Sequence, residues 1–593
     1  MKKPILLTAL GAAACAAPVA AREQPNILVI LADDMGYSDI GCYGGLIRTP
    51  NLDSLAAHGL RYTQFYNTAR SCPSRASLLT GLHPHQTGIG HMAKKQHGEE
   101  GYRGDLNDRC VTIAEVLRTA GYATYAVGKW HVTNQLSPSG AKDNWPLQRG
   151  FDHFYGTIMG GGSYYDPATL CRGNDYITPE NDPAYRPETF YYTDAIADNA
   201  LQFLATHHDR QAGKPFFMYM AFTAAHWPMQ VPEEEAASYH GVFDKGWDEL
   251  RREKYHRMRQ SGLLDPSWAL STDETVVPWR TVQNKDFEIR CMEVYAGIVS
   301  RMDRNIGRVV EWLRRQRMLD NTIILFLQDN GGCAEGMERQ RPPFKVRVPQ
   351  GETLAPMAPD ELQTLLIPFK TRDGRPMRRG QVEAGGADTY VAYGKGWAHL
   401  SDTPFREYKH WVHEGGIATP LIVHWPAGIT ARGELRKTPG QLPDIMATCV
   451  NLAGAHYPES YGDKAITPCE GTSLAGSFED DTMPERDLFW EHEGNRAVRS
   501  GRWKLVYKAS KGRKQDIPLS AWELYDLKTD RTECRDIAAE RPRLVLELAR
   551  KWEAFAERCQ VKPWPTTSKT PAKKQTLKIV PMFTIRLNRD DSG

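Results

Sequence analysis

Beyond the N-terminus, this 593-residue chain lacks any apolar run long enough to cross a membrane, which excludes a helical span. It also lacks an excess of one charge. The 74 Lys and Arg nearly balance the 72 Asp and Glu, and no basic stripe stands out, so a general nucleic-acid binder is excluded. Its 11 cysteines are scattered with no CxxC spacing, leaving free buried thiols and a disulfide framework both open. No internal repeat is present. What the chain does have is 15 Trp, 38 Pro and 50 Gly, the composition of an ordered, loop-rich enzyme long enough for more than one domain.

The first residues read as an export signal spanning 1–21. "MKK" is basic, "PILLTALGAAA" is a short apolar core, and "APVAA" supplies small residues for cleavage near Ala20 or Ala21. The expected destination is the periplasm. Lipid anchoring through Cys15 at the outer-membrane surface, or secretion, are the alternatives.

Apolar, β-branched runs alternate with amphipathic stretches. "NILVILA" reads as a strand buried on both faces. "TPNLDSLAAHG" reads as a helix capped by Thr49 and stopped by Gly59. "VTIAEVLRTAGY" carries a capping box, Thr112 with Glu115. Further strands are read in "RYTQFY", "ATYAVGKWH", "PFFMYMAFTAAHWP" and "NTIILFLQDNGG", separated by helices bearing Ile196, Ala200 and Leu204, then Ile306, Val310 and Leu313. The expected fold is α/β: a large, mostly parallel sheet flanked by helices over 22–475. A smaller C-terminal α+β subdomain, an antiparallel sheet plus a helix, follows over 476–561, with an extended tail over 562–593.

In such folds, chemistry gathers beyond the carboxyl ends of the strands. Polar groups stand there: Asp33 and Asp34, Lys129 and His131, His226, and Asp329 with Asn330. Adjacent carboxylates repel unless a cation lies between them, and oxygen donors suit Ca²⁺ or Mg²⁺ rather than zinc. In "NTARSCPSRASLLTG", Pro73 predicts an extended Cys72 ahead of a helix that Gly81 stops. The start of a helix favours an anion, and Arg75 adds fixed positive charge.

The stretch "SCPSRASLLTG" resembles the signature of the type I sulfatases of the alkaline phosphatase superfamily. Pro73, Arg75, Thr80 and Gly81 set the register, placing Ser71 at the reactive position and Cys72 at a variable one. The likeness extends through "GYRGDLNDR", "GKWH", "RGFDHFYG", "SYYDP" and "YKHWVHEGGIATPLIVHWP", nearly the whole mature chain, and is closest to serine-type bacterial arylsulfatase-like members. It implies that a radical-type maturase converts Ser71 to Cα-formylglycine. It implies one Ca²⁺ held by Asp33, Asp34, Asp329, Asn330 and residue 71. It implies that Arg75 steadies the formylglycine hydrate, that Lys129 and His131 lie beside it, and that His226 and Lys409 bind the sulfate.

The expected activity is removal of sulfate from a sulfated carbohydrate, with aryl sulfates as surrogates. Tyr164, Tyr165 and Asp166, the stretch "YGKGWAHLSD", and His410 and His413 are expected around the sugar. One alternative is a phosphomonoesterase or phosphonate monoester hydrolase of the same superfamily, using unmodified Ser71; the His-rich surroundings of a two-zinc centre are missing. The other is a non-enzymatic glycan-binding protein with a decayed site.

Overall fold

The computed structural model describes residues 24–94, 99–509 and 517–564. The export-signal segment 1–21 with Cys15, and the tail beyond 564, lie outside the described residues. Among the described residues, no helix is long and apolar enough to cross a membrane, and all ten cysteines are free thiols.

Eleven strands form the main sheet. They are β1 (Asn26–Ala32), β2 (Leu60–Tyr66), β3 (Ala123–Lys129), β4 (His153–Thr157), β5 (Leu170–Arg172), β6 (Asp175–Tyr176), β7 (Phe216–Ala221), β8 (Thr322–Gln328), β9 (Ala418–His424), β10 (Glu434–Arg436) and β11 (Gly440–Gln441). The order is β10-β2-β9-β8-β1-β7-β3-β4-β5-β6, with β11 also on β2. β8, β1, β7, β3 and β4 are mutually parallel. β9 runs antiparallel to both β8 and β2.

The helices that matter here are α1 (Pro50–Ala57), α2 (Ser71–Thr80), α3 (Ile113–Thr119), α4 (Tyr192–Gln211), α5 (Lys285–Arg315), α6 (Pro443–Leu452) and α7 (Pro542–Arg558). The apolar β1 serves two cores at once. Leu28, Ile30 and Ala32 pack with residues of α1, α4 and α5 such as Leu52, Ile196 and Ile306. Ile27, Val29 and Leu31 pack with residues of α2, α3 and α6 such as Leu78, Ile113 and Ile445. A strand covered on both faces needs apolar residues at every position, which is why its alternation vanishes from the sequence.

Beyond the main sheet, β12 (Leu488–His492), β13 (Asn495–Ser500), β14 (Trp503–Tyr507) and β15 (Glu523–Asp526) form a four-stranded antiparallel sheet. α7 packs on it through Val545, Leu548, Trp552 and Phe555. The buried Lys504 of β14 pairs with Glu414 at 2.9 Å, so the second sheet docks on the first through charge as well as apolar contact.

Two local expectations differ from what is seen. Thr49 does not cap α1 through its side chain. Asp303 of α5 accepts from the backbone N–H groups of Asn51 and Leu52 at 3.1 and 2.8 Å and does that work from across the layer. Cys72 is helical rather than extended, because α2 begins at Ser71 with Pro73 inside its first turn. A first-turn proline loses no hydrogen bond, since its N–H would have no intrahelical partner. The Thr112–Glu115 capping box forms as expected.

Candidate active site and metal centre

The parallel strands end along one edge, and the polar residues of the loops converge there. Asp33 and Asp34 follow β1, Lys129 ends β3, His226 lies just past β7, and Asp329 and Asn330 follow β8. β2 is antiparallel to β9 and so runs with the parallel set, delivering Ser71 to the same edge. Lys409 arrives by the opposite route. Because β9 is antiparallel, the chain just before it lies at this edge.

Asp33, Asp34 and Asp329 are fully buried, and one oxygen from each lies within 4.8 Å of the others. Ser71 Oγ stands 3.2 Å from Asp33 Oδ1 and 3.2 Å from Asn330 Oδ1. Asn330 Nδ2 donates to Asp34 Oδ1 at 2.7 Å. Three cations face the three carboxylates. Lys129 Nζ is 2.5 Å from Asp33, Lys409 Nζ 2.7 Å from Asp34, and Arg75 Nη2 2.9 Å from Asp329.

Does this cluster suit a metal ion? Its donors are all oxygen: three carboxylates, the Asn330 amide oxygen and the residue 71 side chain. That is the chemistry of a hard dication. The crowding points the same way. Burial, and next the Asp33 carboxylate, push the Asp329 carboxyl up to about 6. A dication among the three would relieve that repulsion. Burial opposes ionisation of Asp34 too, yet Lys409 and His226 hold it well below the usual carboxylate range.

Arg75 is completely buried. Its Nε and Nη2 both donate to Asp329 Oδ2, at 3.1 and 2.9 Å, and Nη1 donates to the Lys129 carbonyl at 3.1 Å and the Tyr219 hydroxyl at 3.3 Å. His226 Nδ1 lies 2.6 Å from the Trp227 carbonyl, which can only accept, so Nδ1 carries the proton. Nε2 is thereby left facing the cluster, 3.4 Å from Asp34. Burial pulls His226 down to about 4 and, with Lys129, takes His131 well below its usual value, so both rings are neutral at pH 7. The glycines of 160–162 let the chain pass close over these rings. A Cβ on Gly160 would lie 1.9 Å from His131 Cε1, and one on Gly161 3.5 Å from His226 Cε1.

Cys72 is buried with its sulfur 3.9 Å from Met92, and burial raises its thiol, so it packs rather than reacts. The expected sugar residues do not all gather at one place. His410 lines a cavity of about 440 Å³ together with Arg70, Glu335 and Lys409. Tyr165 and Asp166 line a different cavity of about 550 Å³, where Asp166 is paired with Arg372 at 2.9 Å. Tyr164 is buried, and its hydroxyl donates to the carbonyls of Thr223 and His226 at 3.1 and 2.9 Å. It fixes the loop that carries His226. His413 is buried too, 3.0 Å from Glu523 of β15, and faces the second sheet. In "YGKGWAHLSD", residues Lys395–Ser401 form a short helix that buries Trp397, while Asp402 accepts from the Gly332 N–H at 3.0 Å. The stretch supports the loop after β8 from behind.

Three supporting residues went unread in the sequence. Ser74, one turn after Ser71, donates to the Asp329 carbonyl at 2.5 Å. Tyr219 meets Arg75 from inside β7. Glu335 pairs with Arg70 at 3.1 Å and accepts from Trp227 Nε1 at 2.8 Å. Only the acid six residues past Asp329 gave any hint.

Comparison with solved structures fits this geometry. The chain superposes on Ps i-CgsB in complex with k-i-k-neocarrahexaose with a TM-score of 0.59 at 22% identity, covering 90% of this chain and 93% of that one. It superposes on BT4656 in complex with D-glucosamine-2-N,6-O-disulfate with a TM-score of 0.58 at 20% identity, covering 92% and 100%. The phosphonate monoester hydrolase of Agrobacterium radiobacter shares the fold, with a TM-score of 0.52 at 18% identity and 90% and 96% coverage. The chain shares its fold with all three.

Sequence narrows this further. The Sulfatase family profile matches residues 25–455, and an N-sulphoglucosamine sulphohydrolase C-terminal profile matches 406–555. The arylsulfatase of Klebsiella aerogenes is 31% identical over 77% of this chain and 93% of its own length. An uncharacterized sulfatase of Schizosaccharomyces pombe is 32% identical over 90% and 93%. The chain belongs to the sulfatase family, as a type I sulfatase and so a sulfuric ester hydrolase.

Proposed function

We propose that this sulfatase removes sulfate from a sulfated carbohydrate, with residue 71 as Cα-formylglycine and a calcium ion held by Asp33, Asp34, Asp329, Asn330 and residue 71. The observation that carries the reading is the position of Ser71. Its Oγ lies 3.2 Å from Asp33 Oδ1 and from Asn330 Oδ1 at the first turn of α2, while Lys129, Lys409 and Arg75 pair with Asp33, Asp34 and Asp329 of the same cluster.

Calcium, when bound, supplies positive charge that acidifies a hydroxyl at residue 71 and offsets negative charge on a sulfate ester. Formylglycine supplies, as its hydrate, the paired hydroxyls that serine lacks. The rest is the work of the chain. Lys129 and Lys409, whose ammonium groups pair with Asp33 and Asp34, hold the sulfate oxygens. Arg75 stays on Asp329 and keeps that carboxylate ionised. His226 presents Nε2 to the leaving oxygen, and an anionic ester beside it favours its protonated form. It then donates that proton to the departing alcohol. His131, neutral through burial, accepts the proton of the hydrate's second hydroxyl as sulfate leaves. Tyr164 and Trp227 keep the His226 loop in place.

The carbohydrate assignment is supported by the fold relatives solved with a carrageenan-type oligosaccharide and with a disulfated glucosamine, and by the open cavity beside Lys409. The N-terminal signal supports export to the periplasm, and Ser71 in its sequence setting supports a radical-type maturase as a transient partner. The test is a panel of sugars sulfated at each position beside matched phosphate monoesters and phosphonates, run on matured enzyme with calcium and after chelation. Calcium-dependent turnover of one sulfated sugar is the expected result. Faster phosphonate or phosphate turnover would point to the neighbouring activity in the superfamily, and sugar binding without turnover to a glycan-binding protein.

A further inference from the structure

A second group of metal-type ligands stands apart from the three aspartates, at the wall of the 440 Å³ cavity. One ligand atom from each of His410, His492 and Glu493 lies within 4.8 Å of the others. His410 Nδ1 is 3.4 Å from Glu493 Oε2. On the other carboxylate oxygen, Glu493 Oε1, His91 Nε2 stands at 2.6 Å. The His91 ring also stacks on His492, with centroids 5.8 Å apart and planes 16° from parallel.

His492 raises the question that leads to a ligand. It is 0% exposed, and among the described residues neither of its ring nitrogens has a hydrogen-bond partner; Nε2 stands 4.0 Å from Glu493 Oε1, beyond hydrogen-bond reach. A neutral imidazole always has one donor and one acceptor, and leaving either unpaired in the interior is unfavourable. Something must offset that.

The backbone brings the three ligands together from distant segments. His410 sits at φ 91°, with its N–H on the Ala69 carbonyl at 2.8 Å. His492 ends β12 and Glu493 begins the turn to β13. Two imidazoles and one carboxylate are a borderline-soft donor set, unlike the all-oxygen set around Asp33.

We propose that His410, His492 and Glu493 bind a transition-metal dication of the zinc kind, with His91 holding the second oxygen of Glu493. His410 and Glu493 line the cavity, so the fourth position of a tetrahedral ion opens into it, where water or a ligand oxygen completes the shell. The ion also ties the β12–β13 hairpin to the loop ahead of β9. None of this depends on the state of residue 71.

The test uses the full-length protein, stripped with a chelator and reloaded with excess calcium so that the aspartate cluster is filled. Cobalt(II) is then titrated in as a spectroscopic stand-in for zinc. Visible d–d bands of a tetrahedral or five-coordinate ion, saturating at one equivalent and abolished by added zinc, are expected. Glu493→Gln and His410→Gln should remove those bands while leaving the stabilisation by calcium intact. His91→Ala should weaken cobalt binding about 10–100-fold, the usual effect of losing a group that orients a ligand. Because His492→Ala risks misfolding, the two half-exposed ligands carry the test. Failure of the wild-type protein to give bands, or bands that persist in both variants, would overturn the proposal and leave the cluster as a metal-free imidazole–carboxylate network.

Discussion

Replacing Gly160 by alanine adds one methyl group at a crowded point of the candidate site. The new Cβ would lie 1.9 Å from His131 Cε1 and 2.3 Å from each ring nitrogen. Carbon atoms in contact sit about 3.5–4.0 Å apart, so the ring must retreat by roughly 1.5–2 Å. Gly160 has no left-handed backbone angle, and alanine fits its conformation, so the effect is steric alone. Overpacking of this kind costs about 1–3 kcal/mol of stability, which a protein of this size tolerates. A catalytic group misplaced by about 1 Å loses about 100-fold in rate, or about 2.7 kcal/mol of barrier. The assay is steady-state kinetics on Gly160→Ala, on His131→Ala and on the double variant, with thermal melts as the control for folding. If Gly160→Ala acts by moving His131, the double variant is no slower than His131→Ala alone. Wild-type kcat in Gly160→Ala, or additive losses in the double variant, would refute the reasoning.

Three further outcomes are expected. His226→Ala should lose about 10²–10⁴-fold on a sugar sulfate, whose alkoxide needs a proton, but far less on an aryl sulfate with an acidic phenol; equal losses on both substrates would remove His226 as the acid. Arg75→Ala strands the buried Asp329 carboxylate and should cost about 3–5 kcal/mol in chemical denaturation, with calcium restoring part of it; a variant as stable as wild type without calcium would contradict the pairing. Burial holds His424, in β9, down to about 4, with Arg432 adding to the effect, so the unfolded chain binds this proton more readily than the folded one. Stability from this residue is full above about pH 6.5 and falls by up to about 3 kcal/mol as pH drops toward 4. His424→Leu should flatten that acid limb in a plot of melting temperature against pH, and an unchanged limb would count against the assignment.

Much of the architecture was open to a reader of the sequence because strands buried on both faces leave continuous apolar runs, as in Ile27–Leu31. Polar residues right after such runs, Asp33, Asp34, Asp329 and Asn330, lie at the edge where parallel strands end, and they do meet in space. Lys409 was harder to place from pattern, since it precedes its strand; only the antiparallel direction of β9 carries it to that edge. Tyr164, His413 and the 393–402 stretch look like pocket residues in a linear reading. Their hydrogen bonds show support roles that depend on partners far along the chain, such as Glu523 for His413. The cap of α1 was misread for the same reason, because Asp303 comes from α5, some 250 residues later. The His410–His492–Glu493 cluster had no local signature at all; "WEHEGN" reads simply as the end of one strand and a turn.

Everything about turnover rests on the chemistry at residue 71. The most direct measurement follows the mass of the peptide "SCPSR" alongside sulfate release, across preparations made with graded amounts of a serine-type maturase. Specific activity should rise in proportion to the fraction of peptide that has lost two hydrogens, and should vanish at zero conversion. Full turnover by protein whose residue 71 is still serine would contradict the account.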